Sequence, residues 1–154
     1  MIKKTLAITA FAAAAALAAC NGTSTTGGTA FVGPPPTSPP HQSNMPVQQN
    51  VAGAPAFVDP KNNRTLYFLD VDTSTGGTCT GGCLSVWLPL VPSQGAQGQD
   101  GFTVVTRSDG TGMQWDFKKH PLYTFTGDSG PDQSNGDGLA FAGGHWHIAR
   151  PTSN

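Results

Sequence analysis

The string Leu66-Tyr67-Phe68-Leu69-Asp70-Val71-Asp72 returns 56 residues later as Leu122-Tyr123-Thr124-Phe125-Thr126-Gly127-Asp128. After each copy comes a glycine-rich loop and then a tryptophan-bearing segment, Val86-Trp87-Leu88-Pro89 in the first and His145-Trp146-His147-Ile148-Ala149-Arg150-Pro151 in the second. Duplication of this kind restricts the fold to one domain assembled from two similar halves. Each half is too small to cover its own apolar face and depends on the other to do so.

The segments inside the repeat read as strands. Residues 65–71, 102–107, 113–117, 122–126 and 145–149 are short runs rich in β-branched and aromatic side chains, separated by turn residues. Met113, Trp115 and Phe117 alternate with Gln114 and Asp116, the period of a strand with one apolar and one wet face. Ser108-Asp109-Gly110-Thr111-Gly112 supplies a hairpin loop, and Pro121 opens the strand after the turn at residues 118–120. All nine acidic residues are Asp, which bonds nearby backbone in turns and favours helices poorly. The expectation is an all-β fold, a small antiparallel sandwich or barrel-like domain, over residues 56–154.

The first part of the chain has a different composition. Lys3 and Lys4 precede an apolar stretch at residues 6–17, long enough for a signal sequence and short for a membrane span. Leu17-Ala18-Ala19-Cys20 then resembles the bacterial lipobox, which implies cleavage after residue 19 and acylation of Cys20. Asn21, rather than Asp, after the cysteine points to the outer membrane over the inner in a Gram-negative host. Residues 20–55, with Pro34-Pro35-Pro36 and Pro39-Pro40 among Thr, Ser, Gly, Gln and Asn, read as a disordered linker. A coil of that length would hold the domain on the order of 35 Å from its anchor. His41 and Met45 fall within it.

Removing the signal leaves six basic against nine acidic side chains, a balance that argues against nucleic acid as a partner. The membrane, through Cys20, and another envelope component are the partners expected instead. With Cys20 lipidated, Cys79 and Cys83 remain as a pair outside the exporting membrane. Gly81 and Gly82 let the chain turn sharply between them, so a disulfide is the expected state. A thiolate copper site is the alternative, although position 87 is Trp where such a site calls for His.

Taken in order, Cys79-x3-Cys83, Arg107-Ser108-Asp109-Gly110, Pro121-Leu122-Tyr123, two Tyr-x4-Asp signatures and a late Trp resemble the lipoprotein family called secreted repeat of unknown function. Tyr123, Phe125 and Asp128 match its Tyr-x-aromatic-x-x-Asp form, whereas the first copy, Tyr67 to Asp72, has Leu69 at the aromatic position. The resemblance implies a cell-envelope lipoprotein and no established activity. Residues five apart on a strand point to opposite faces, so the Tyr and Asp of one copy do not converge as a catalytic pair. Each Tyr is expected to pack in the core, and each Asp to accept backbone N–H groups where its loop begins.

Two arrangements could hold a metal ion. His145 and His147 flank Trp146 on one face of a strand, and with His120 they make a candidate copper or zinc site, with or without Cys79 and Cys83. Asp70, Asp72 and Ser74 before Gly76, and Asp128, Asp132, Asn135 and Asp137 in the second loop, offer oxygen ligands to calcium, without EF-hand spacing. Gly127-Asp128-Ser129-Gly130-Pro131 resembles the nucleophile segment of trypsin-like proteases, but His120 lies only nine residues before Ser129, with no room for a second barrel. The reading adopted is a non-enzymatic, lipid-anchored binding or scaffold domain with no cofactor; a metal binder, then a serine hydrolase, are the alternatives.

Overall fold

In the computed structural model residues 44–73 and 76–153 are described. The signal segment and Cys20 lie outside them. The described residues form ten strands: β1 (Val47–Val51), β2 (Ala54–Val58), β3 (Leu66–Leu69), β4 (Trp87–Pro89), β5 (Phe102–Thr106), β6 (Met113–Phe117), β7 (His120–Pro121), β8 (Tyr123–Phe125), β9 (Ala140–Phe141) and β10 (Gly144–Ile148). One 3-10 turn, Gly81–Ser85, interrupts them. All pairings are antiparallel, in a β1-β2 hairpin, a five-stranded sheet of order β4-β8-β3-β10-β9 and a three-stranded sheet β5-β6-β7. The all-β expectation is met.

The repeat explains the sheet order. Equivalent strands β3 and β8 are neighbours, with Tyr67 opposite Tyr123. An antiparallel pair of equivalent strands has a two-fold axis between them, and the rest of the sheet obeys it. Trp87, Leu88 and Pro89 of β4 pair with Phe125, Thr124 and Tyr123. Trp146, His147 and Ile148 of β10 pair with Leu69, Phe68 and Tyr67, the counterparts of those partners in the other copy. The flanking bonds repeat too, Thr126 N–H to the Val86 carbonyl matching Asp70 N–H to that of His145, and Leu90 N–H to Leu122 matching Ala149 N–H to Leu66. Each half therefore places its tryptophan strand beside the tyrosine strand of the other.

The same correspondence extends the repeat upstream of Leu66. Phe57 N–H bonds the Ala149 carbonyl as Trp115 N–H bonds that of Leu90, so hairpin β1-β2 is the counterpart of β5-β6. This corrects the linker boundary, because β1 and the start of β2 lie within residues 20–55. Asn44 is buried, its side chain donating to the Val91 carbonyl and accepting from Ser93 N–H, and Val51 is fully enclosed. Pro46 and Pro55 suit a two-stranded hairpin, where missing N–H donors are tolerated at an edge.

Two apolar clusters form on opposite sides of the strands. One gathers Val51, Ala56, Val58, Tyr67, Leu69, Cys79, Cys83, Trp87, Tyr123, Trp146 and Ile148, centred on Trp87 and Trp146, which stack 3.7 Å apart at 4°. The other joins Phe57, Leu66, Leu90, Phe102, Trp115, Phe117, Leu122 and Ala149. The wet face expected on β6 is absent. Gln114 and Asp116 are buried and Met113, the first residue of β6, is exposed; Asp116 accepts from the Thr103 hydroxyl and the Lys119 N–H. Gln114 is held there by Arg107 and the Leu122 carbonyl.

Candidate functional site

The motif residues meet across the two-fold axis. The Tyr67 hydroxyl donates to Asp128 Oδ2 at 2.7 Å, and the Tyr123 hydroxyl to Asp72 Oδ2 at 3.4 Å. Tyr-x4-Asp is thus two crossed pairs, the tyrosine of each copy bonded to the aspartate of the other. All four residues are buried. The second carboxylate oxygens close the loops, Asp72 Oδ1 accepting from Thr78 N–H and Oγ1, and Asp128 Oδ1 from Asn135 N–H. Gly136 packs where a Cβ would come within 3.0 Å of Tyr67 Cζ and 2.8 Å of the Trp87 ring, so only glycine lets this loop close over the first pair.

Around the second pair lies a buried cation. Arg107 donates to Gln114 Oε1 at 2.5 Å, the Cys79 carbonyl at 2.8 Å and Asp109 Oδ2 at 2.7 Å, and it also reaches the Tyr123 hydroxyl. Arg107 and Thr111 hold the Asp109 carboxyl well below the usual carboxylate range. Cys79 and Cys83 are joined as a disulfide, Cα atoms 5.3 Å apart, so neither is a thiolate metal ligand in this state. The disulfide loop, Arg107 and Tyr123 thereby form one connected unit. The resemblance pointed to Arg107-Ser108-Asp109-Gly110; the contact with Cys79, 28 residues away, could not be read from spacing.

Burial, then the neighbouring Asp128, push the Tyr67 hydroxyl far above the ordinary phenol range. Burial and the Asp72 charge push Tyr123 up to about 12, against the opposing influence of Arg107. These are the chain's two tyrosines. A raised folded-state value means the native protein keeps these protons more tightly than the unfolded chain. That contribution is complete below pH ~10, the unfolded value, and for Tyr123 is lost as pH rises through about 12. Tyrosinate absorbance should consequently stay absent from the native protein at pH ~11 and appear together with loss of tertiary circular dichroism. Titration near pH ~10 with the fold intact would contradict this enclosure.

The histidines separate. His145 and His147 lie on the exposed face of β10, their Nδ1 and Nε2 atoms 3.7 Å and 4.0 Å from Asp70 Oδ2. The backbone N–H of His145 holds the other oxygen, Oδ1, at 2.9 Å, the main reason the Asp70 carboxyl lies below its ordinary value. His120 instead packs its ring 4.6 Å from Phe68, which also stands 5.7 Å from His147. The partner of the histidine pair is therefore Asp70, a residue that sequence reading had placed in a calcium loop. Its position follows from β3 pairing with β10, a long-range fact.

Of the residues expected to offer calcium ligands, Asp132 is exposed, whereas Asp72, Asp128 and Asp137 use carboxylate oxygens within the domain. Asp72 and Asp128 serve the crossed pairs, and Asp137 accepts the Ile148 N–H. Ser74 lies outside the described residues. Among the described residues, no group of three or more His, Cys, Asp or Glu side chains stands in positions that could hold a metal ion. Ser129 Oγ exchanges hydrogen bonds with the Gln133 amide, at 3.2 Å and 3.1 Å, within its own loop.

Beside His145 the sheet ends in a depression of about 430 Å³ lined by Asp70, Val71, Ala140, Phe141, Gly143, Gly144 and His145. Val71, Leu139 and Phe141 are exposed around it. This edge is the one place where imidazole, carboxylate and exposed aromatic groups occur together among the described residues.

Residues 103–150 match the family described as a secreted repeat of unknown function. The matched segment runs from β5 to just beyond β10, the whole second half of the domain, and the first half repeats its pairing from β1 to β4. No curated protein and no solved structure matches the chain.

Proposed function

We propose that the chain is a lipid-anchored envelope protein whose repeat domain is a non-catalytic recognition module, displaying its binding surface at the β9–β10 edge. The observation that carries this reading is how the polar groups are distributed. The motif's tyrosines and aspartates, with Arg107 and Gln114, bond one another inside the domain and present no reactive group to a substrate. Asp70, His145, His147 and Phe141 stand at the surface instead. Export agrees with the secreted family that the second half matches. The anchor rests on Leu17-Ala18-Ala19-Cys20.

A photo-crosslinking residue in place of Phe141, in the full chain expressed in its own envelope, tests both parts. The expected result is one discrete adduct, absent when the probe replaces exposed Lys61, which lines a different depression, with Leu88 and Thr124. Cys20→Ser is expected to move the protein from the membrane to the soluble fraction and weaken that adduct. A protein that stays in the membrane fraction after Cys20→Ser would overturn the anchor; no adduct at position 141 would overturn the recognition surface.

A further inference from the structure

We propose that Asp70, His145 and His147 bind one divalent transition ion, copper(II) or zinc(II), on the exposed face of β10 where the end of β3 meets it. The proposal deepens the recognition reading by naming a ligand for part of that surface. Two imidazoles two residues apart on β10 point to the same side, and Asp70, at the end of paired strand β3, brings a carboxylate oxygen between them. The oxygen facing the imidazoles is Oδ2, while Oδ1 is tied to the His145 N–H, which fixes the direction in which the carboxylate points. Gly144 is part of this arrangement, since a Cβ there would collide with Asp70 Oδ1.

The fold does not require these three side chains. Their counterparts across the two-fold axis are Thr126 for Asp70, Val86 for His145 and Leu88 for His147, and the same ladder forms there without an imidazole or a carboxylate. Two imidazoles and a carboxylate suit copper or zinc, whereas calcium and magnesium prefer oxygen donors alone. Around a tetrahedral zinc ion bound at about 2.1 Å, neighbouring donor atoms stand about 3.4 Å apart. The present separations of 3.7 Å and 4.0 Å exceed that by about half an ångström. Side chains 61%, 47% and 39% exposed can rotate by that much, so the site closes when the ion arrives. Asp70 and His145 also line the depression beside Val71 and Phe141, which leaves room next to them for a further donor from solvent or from a partner.

The test titrates the full-length protein, purified without chelator, with zinc chloride by calorimetry and with copper(II) by electron paramagnetic resonance. One ion per chain is expected, with nitrogen couplings from two imidazoles in the copper spectrum. The paired replacement His145→Gln and His147→Gln is expected to abolish the saturable site, and Asp70→Asn, which keeps the acceptor for the His145 N–H, to weaken it. His120→Gln and His41→Gln should leave it unchanged. Unaltered circular dichroism would show that these variants are folded. Failure to saturate, or binding that survives the paired replacement, would overturn the metal site. The position-141 adduct is scored separately, so the recognition reading stands or falls on its own result.

Discussion

Trp146→Ala is expected to cost about 3–5 kcal/mol. Trp146 is completely enclosed, lies flat against Trp87 at 3.7 Å, and receives Tyr123 edge-on at 5.1 Å. Removing the indole leaves a cavity on the two-fold axis that neither half can fill without displacing the other's tyrosine strand. Small domains have only about 5–15 kcal/mol in total, and a urea slope near 2 kcal/mol per molar would turn this loss into a midpoint shift of about 2 M. Trp146→Phe should retain most of the stability, because the Trp146 Nε1 atom is buried without a hydrogen-bond partner and its loss breaks no bond. The symmetry adds a second expectation: Trp87→Ala should cost a similar amount, and the double replacement less than the sum, since either change removes the same stack. A midpoint for Trp146→Ala within about 0.5 M of the parent would mean the stack does not hold the halves together.

What the residues disclosed, and what they did not, follows one physical division. Local signals were legible: alternation and β-branched runs placed β3, β5, β6, β8 and β10, the glycines placed the loops, and two cysteines four positions apart gave the disulfide. The repeat was visible only from Leu66 onward because leucine, tyrosine and aspartate coincide there. Its opening hairpin carries Val47-Gln48-Gln49-Asn50-Val51 in one copy and Phe102-Thr103-Val104-Val105-Thr106 in the other, and shares a pairing pattern rather than residues. Composition alone assigned the polar, proline-flanked version to the linker.

Partners across the axis were hidden for a related reason. The argument that Tyr and Asp of one copy point to opposite faces is sound, and the structure resolves it by supplying each with its mate from the other copy. An antiparallel pairing of the two Leu-Tyr strings would have disclosed this, since it puts the tyrosines opposite each other and each loop over its neighbour's strand. Without a pairing rule, the sequence left Asp70 far from His145 and made His120 look like the nearest companion. The approach of Asp70 to His145 and His147 is consequently a property of sheet order, as is the burial of Gln114.

The crossed motif makes an energetic prediction that a repeat of independent halves would not. Tyr67→Phe removes the hydroxyl that serves Asp128 Oδ2 and stands 3.4 Å from the Gly136 N–H, leaving a fully buried carboxylate with one donor fewer. A hydrogen bond to a charged group contributes about 1.5–3 kcal/mol, and a double-mutant cycle of Tyr67→Phe with Asp128→Ala should return a coupling of that size. The matching cycle within one copy, Tyr67→Phe with Asp72→Ala, should couple by less than about 0.5 kcal/mol, because Asp72 serves Thr78 and Tyr123 instead. The second crossed pair should couple more weakly than the first, its bond being 3.4 Å rather than 2.7 Å and its tyrosine shared with Arg107 and Gln114. Equal coupling within and between copies, measured by urea denaturation, would remove the crossed pairing as the reason these four residues recur. Coupling confined to the pairs between copies would make the Tyr-x4-Asp signature a device for joining two half-domains, and would leave recognition to the side chains that differ between them.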